Sequence, residues 1–189
     1  MVWVLPTIIT PDAGFSSAVD LSDLSGTDHN TSIGTGLTVV VRIRPVRNLR
    51  SGNQLRVYLR GANSQSTTVT AAYIGEAATS GHAWDFASSP ASTQLTFNST
   101  GSVVIPEKRV AVSDVVDFEF NAARVHLVAF TVTAGYLRHL TAVPGSKEVV
   151  SYYKSNTSEA GTADKSSGYT AFGDTAFSLL RITTAQIED

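Results

Sequence analysis

Leu37-Thr38-Val39-Val40-Val41-Arg42-Ile43-Arg44, stopped by Pro45, is the stretch on which the fold turns. Leu37, Val39, Val41 and Ile43 occupy alternate positions, and a period of two sends successive side chains to opposite sides of an extended chain. The intervening Thr38, Val40, Arg42 and Arg44 are mixed in character and end in two arginines. The run therefore predicts a strand with one dry face.

The same pattern recurs downstream. After the turn residues Ser51-Gly52-Asn53, Leu55, Val57 and Leu59 point one way and Arg56, Tyr58 and Arg60 the other. Further strands are expected over 67–74, 93–97, 102–105, 115–120, 124–134 and 176–184, and in 115–120 Val116, Phe118 and Phe120 face inward while Asp117 and Glu119 face water. Residues 137–141 and 152–154 fit either short strands or single helical turns. Short β-rich runs parted by Gly, Asn, Ser and Pro clusters about every ten residues define an all-β, antiparallel sandwich or barrel.

The chain has 189 residues, enough for one domain with a core of its own. It contains no cysteine, which excludes a disulfide scaffold, a thiolate zinc site and a Cys nucleophile. Charged residues make up only 16%, against a usual ~25%. With a net charge of −2, the composition argues against a nucleic-acid binder. No run reaches the ~18 apolar residues of a membrane helix. Met1 to Leu5 is apolar, but no basic residue precedes it and Pro6 interrupts it, so it does not read as a secretory signal.

The few charges are segregated. Residues 1–28 hold Asp12, Asp20, Asp23 and Asp28 with no Lys or Arg, a local charge of −4. Between His29 and Gly75 stand Arg42, Arg44, Arg47, Arg50, Arg56 and Arg60 with no acid, a local charge of +6. Residues 1–36 show little periodicity and read as an N-terminal arm or long loop, with the sandwich over 37–189. The Ser/Thr/Gly-rich stretch 154–175 reads as a surface excursion. Opposite local charges suit head-to-tail contact between copies or pairing within the chain. The arginine strands fit a solvated sheet face, or a basic face for an acidic surface or anionic glycan, since guanidinium groups pair with carboxylates bidentately and stack on rings.

Trp84 in Gly81-His82-Ala83-Trp84-Asp85-Phe86 is the foremost ligand-contact candidate, because an indole face stacks on sugar rings and His82 and Asp85 flank it with hydrogen-bonding groups. Tyr58, Arg56 and Arg60 form a second candidate set on one strand face, with the Tyr152-Tyr153 pair behind them. Trp3, Leu5, Ile8 and Ile9 are expected to anchor the arm on neighbouring chains. Among His29, His82, His126 and His139 no recognised metal-ligand spacing occurs, and His126, between Val125 and Leu127, reads as a structural core residue. Asp20, Asp23, Asp28 and Asn30 follow no calcium-loop pattern. No metal or other cofactor is expected. The nucleophile elbow G-x-S-x-G is absent, which points away from a serine hydrolase. Carboxylate pairs for glycosidase chemistry are defined in space and leave a hydrolase as a third reading.

The run Leu55 to Asn63, then Val69 to Ala77, Gln94-Leu95-Thr96-Phe97, Ser102 to Pro106, Val112 to Phe118 and Val143-Pro144-Gly145, resembles the β-sandwich accessory domain that precedes the catalytic domain of some GDSL/SGNH-type bacterial esterases. The likeness spans roughly residues 37–145 and lies in strand-and-turn order. It implies a jelly-roll-like sandwich that binds carbohydrate or packs on another protein. No catalytic block accompanies it, so the resemblance implies no esterase activity. Similar stand-alone sandwiches occur as decoration, spike and fibre proteins of tailed-phage virions. The expectation is a non-enzymatic virion component that forms homo-oligomers, meets other virion proteins and contacts host glycan, with neither nucleic acid nor membrane as a partner. The alternative is a carbohydrate-binding module working beside a separate esterase.

Overall fold

In the computed structural model of the chain, the described residues are 14–22, 24–29, 36–47, 50–141, 149–173 and 175–187. The strands run β1 (Ser16–Asp20), β2 (Ser25–His29), β3 (Leu37–Ile43), β4 (Gly52–Arg60), β5 (Thr67–Glu76), β6 (Thr93–Gln94), β7 (Val103–Ile105) and β8 (Val110–Val112). They continue with β9 (Val116–Phe120), β10 (His126–Ala134), β11 (Leu137–Thr141), β12 (Val149–Ser155), β13 (Thr170–Phe172), β14 (Thr175–Phe177) and β15 (Leu179–Ala185). Among the described residues there is a single 3-10 turn, Pro45–Arg47, which follows where the chain leaves β3.

One sheet has the order β1-β15-β4-β8, with β9 also on β4; a second has the order β13-β12-β3-β10-β5-β6, with β7 also on β5. β14, β11 and β2 form a three-stranded ribbon. The pairings are antiparallel, for example Val39 opposite Phe130 and Val57 opposite Ile182. Leu55, Val57 and Leu59 of β4 and Val116, Phe118 and Phe120 of β9 meet Val39, Val41 and Ile43 of β3 and Val128, Phe130 and Val132 of β10 in one core. The outward residues of β4 stay half-buried and Asp117 and Glu119 stay exposed, as the alternation predicts. Each large apolar side chain closed between the sheets contributes about 1.5–3 kcal/mol over an exposed one. The molecule is the antiparallel β-sandwich expected.

The structure departs from the sequence reading in several places, among them the run 93–97, of which only Thr93–Gln94 is strand. β3 has two dry faces, because Thr38 and Val40 are as buried as Val39. Part of their cover is residues 156–169, inside the stretch read as a surface excursion, which pack back over the sheet. Within the segment read as an arm, residues 16–20 and 25–29 are paired strands, β1 on β15 and β2 on β11. β2 (Ser-Gly-Thr-Asp-His) has no large apolar residue to signal it and is held by polar contacts. Asp28 accepts the Asn63 N–H at 2.9 Å and the Ser64 hydroxyl at 2.7 Å, and pairs with Arg138 at 3.1 Å. Arg138 also donates to the Gly26 carbonyl, and a Cβ at Gly26 would lie 2.5 Å from the His139 carbonyl oxygen, so only glycine permits the approach. Finally, the run 176–184 is split at Ser178, whose φ of +55° swings the chain from the ribbon into the five-stranded sheet.

Candidate functional site

The outer face of the seven-stranded sheet carries a second, smaller core. Val40, Leu127 and Ala129 are buried there against Phe86, Ala160 and Tyr169, with Trp84, Tyr73 and Tyr152 packed at its border. The cover consists of two irregular segments, 77–92 and 156–169, and its backbone polar groups need partners that a sheet would otherwise supply. The sequence meets that need with side chains. Thr38, facing out of β3, accepts the Glu159 N–H at 3.0 Å and the Thr157 hydroxyl at 2.9 Å. Glu159 in turn accepts the Ser166 hydroxyl at 2.5 Å and the Tyr169 hydroxyl at 3.1 Å. Burial raises the Glu159 carboxyl, but these bonds and the charge of Lys154 together hold it below its ordinary range. Burial, with the Glu159 charge beside it, pushes the Tyr169 phenol up.

Asp85 is the joint between the two segments. Its carboxylate, 5% exposed, accepts the His82 N–H at 2.7 Å on Oδ2 and the Lys165 N–H at 2.9 Å on Oδ1. His82 Nδ1 lies 3.2 Å from Oδ2, and the Phe86 N–H donates to the Ala163 carbonyl at 3.0 Å. Asp164 is thereby brought beside His82 and Asp85, with one ligand atom of each of the three residues within 4.8 Å of the others. Lys165 is 1% exposed. Its ammonium donates to the Thr162 carbonyl at 2.7 Å and sits 3.8 Å from the Phe86 ring centre. Burial pulls it down to about 8, against the opposing pull of Asp85 and Glu159.

Trp84 stacks on His82 at 4.8 Å and 7° and on Tyr169 at 5.2 Å, and meets Tyr152 at a tilt. Its Nε1 donates to the Ser166 carbonyl at 3.3 Å. The indole thus ties the cover down as part of a ring cluster.

A separate groove of about 410 Å³ lies on the other side of the sandwich, where β7 and β8 approach. Arg56, Tyr58, Asn98, Val104, Val110 and Asp114 line it. Val104 is 59% and Val110 39% exposed. Asp114 is fixed at its rim by the Thr96 hydroxyl and the Asn98 and Ser99 N–H groups, which hold its carboxyl below the ordinary range. Arg56 donates to the Ser113 carbonyl at 3.0 Å and lies 5.8 Å above the Phe15 ring.

The residues singled out from sequence therefore fall into two places. His82, Trp84 and Asp85 stand together in the cover, and Arg56 and Tyr58 in the groove. Arg60 is on the same face of β4 but does not line the groove. Trp3, Leu5, Ile8 and Ile9 lie outside the described residues. Of the acids of the N-terminal segment, Asp20 pairs with Arg181 at 3.2 Å and Asp28 with Arg138, while Asp12 and Asp23 lie outside the described residues. Arg42 is turned into the cover, donating to the Ala83 carbonyl at 2.7 Å. His126 is fully buried, stacked 4.1 Å from Phe120. Sequence reading missed Asp164 and Lys165, which lie about eighty residues from the loop they meet, and Glu159, whose backbone N–H reaches Thr38 across 121 residues; no local spacing announces them. No family model matches the chain, and no curated protein matches it.

Proposed function

We propose that the chain is a non-enzymatic structural subunit of a tailed-phage virion, a decoration, spike or fibre component that assembles with copies of itself and with neighbouring virion proteins. The observation that carries this reading is the groove between β7 and β8. There Val104 and Val110 stand exposed at two short edge strands, flanked by Arg56, Tyr58 and Asp114. Apolar side chains ringed by polar ones are the mark of an association surface, and short sheet edges are the places where a second chain adds. The strand-and-turn order supports the class of protein, since stand-alone sandwiches of this kind occur in phage particles. The apolar residues Trp3, Leu5, Ile8 and Ile9 supply an anchor suited to such a neighbour.

The test follows from the fold. A deletion has to stop at residue 13, since β1 and β2 belong to sheets. Removal of residues 1–13, and separately the double substitution Val104→Asp with Val110→Asp, is expected to abolish self-association in light scattering and attachment to particles while leaving the unfolding midpoint nearly unchanged. A wild-type chain that stays monomeric at high concentration and binds no particle overturns the reading.

A carbohydrate-binding role is the second reading, and Tyr58 is the residue that favours it: an aromatic ring in a groove with Arg56 and Asn98 suits a sugar better than Trp84, whose ring is already packed among His82, Tyr169 and Tyr152. Glycan binding by the monomer that Tyr58→Ala abolishes would establish it.

A further inference from the structure

We propose that His82, Asp85 and Asp164 bind one divalent transition-metal ion of the zinc class, which cross-links the two segments covering the outer face of the seven-stranded sheet. This site is independent of the groove and of the assembly reading. One ligand atom from each residue lies within 4.8 Å of the other two, and His82 Nδ1 and Asp85 Oδ2 are 3.2 Å apart. Two ligands each ~2.1 Å from a tetrahedral ion stand roughly 3.4 Å apart, so this edge of the coordination figure is already formed. Asp164, on an exposed position, completes it by a rotation of its side chain.

The backbone holds the three in place. Ala163 accepts the Phe86 N–H, and the Lys165 N–H donates to Asp85, so both neighbours of Asp164 are bonded to the 85–86 segment. The ring plane of His82 is set by its parallel stack on Trp84. A carboxylate whose second oxygen is hydrogen-bonded and an imidazole of fixed orientation are what support a metal's direct ligands elsewhere. Charge agrees with this. The Asp85 carboxylate is met by N–H donors and His82, while the nearby Lys165 ammonium is directed to the Thr162 carbonyl and the Phe86 ring. Asp85 and Asp164 thus bring two negative charges, with the Lys165 ammonium acting on Asp85, which leaves net negative charge for a dication.

The ligand set chooses the ion. An imidazole nitrogen with two carboxylates suits zinc and its neighbours, whereas calcium takes six to eight oxygens and magnesium keeps most of its waters. Three protein ligands leave a fourth position for water.

Thermal unfolding of the untagged full chain, with ZnCl2 or with EDTA, reads the site directly. Zinc at about a hundredfold over its dissociation constant is expected to raise the midpoint by roughly 7 °C. Asp164→Asn and His82→Gln, each compared with its own EDTA sample, are expected to lose the shift and at least tenfold in zinc affinity. Co2+ is expected to quench tryptophan emission in the wild type, through Trp84 against His82, and to do so much less in Asp164→Asn. Asp85 is left intact because its removal unties both segments. A wild-type midpoint that zinc does not move, an equal shift in both variants, or the same shift with CaCl2 overturns the proposal.

Discussion

The two faces of the seven-stranded sheet are closed in different ways. On the inner face Val39, Val128 and Phe130 meet Leu55, Val57 and Phe120 of the opposing sheet, and the contact is apolar side chain on apolar side chain. On the outer face Val40, Leu127 and Ala129 are covered by irregular chain. A sheet arrives with its backbone groups already paired. Loops do not, and they bring Asp85, Glu159, Ser166 and Thr157 to satisfy them. Charge and titratable groups therefore gather on the outer face as a condition of closing it, and that is where ligand chemistry finds material.

The sharpest test of this difference is truncation on each side. Phe130→Ala is expected to cost about 4 kcal/mol, since two rigid sheets cannot collapse into the cavity. Leu127→Ala, beneath the cover, is expected at the low end of such changes, about 2–3 kcal/mol, as the loops relax. Urea unfolding measures both, and equal losses would break the comparison.

Acid acts on the inner face. Burial lowers His126 to about 4, only partly countered by the Arg124 backbone. Between an unfolded value near 6.5 and that folded value, the unfolded chain binds a proton that the folded chain refuses, so stability rises with pH. About 2.5 kcal/mol is expected to disappear as pH falls from 6.5 to 4, and His126→Phe should flatten that slope in urea titrations. Asp28 and Asp114, held below the usual carboxylate range, act at lower pH.

Alkali acts on the outer face. Lys165 titrates near 8 when folded and ~10.5 when unfolded, so stability again rises with pH, now by about 1.5 kcal/mol from pH 8 to 9.5. The raised Tyr169 phenol works in the opposite direction, but only above ~10, where the unfolded chain's tyrosine ionises. Lys165→Met is expected to remove the rise. A rise that survives the substitution would assign it elsewhere.

Legibility in the sequence follows the same division. β3, β4, β5, β9 and β10 were readable because one face of each lies on the inner core and imposes a period of two. β2 was not, since Asp28 and Arg138 hold it across 110 residues of chain. β8 is three residues on an edge, too short to carry a pattern. The second dry face of β3 was present as Val40 but masked by Arg42 and Arg44, and Arg42 is accommodated by the Ala83 carbonyl. Of the candidate residues, the local trio His82, Trp84 and Asp85 was visible; their partners from 159–169 were not, because only the folded chain makes them neighbours.

The pairing of β1 with β15 sets Ser16 opposite Thr184. During synthesis the first of these strands leaves the ribosome long before the second exists, and β4 likewise waits for β15 along its flank. The five-stranded sheet therefore cannot close until residue 185 has emerged, and its apolar face must be shielded until then, by chaperone or by transient collapse. Synthesis halted even a dozen residues earlier would lack β14 as well as β15 and release a chain with unpaired edges on β1, β4 and β11, prone to aggregate rather than to fold.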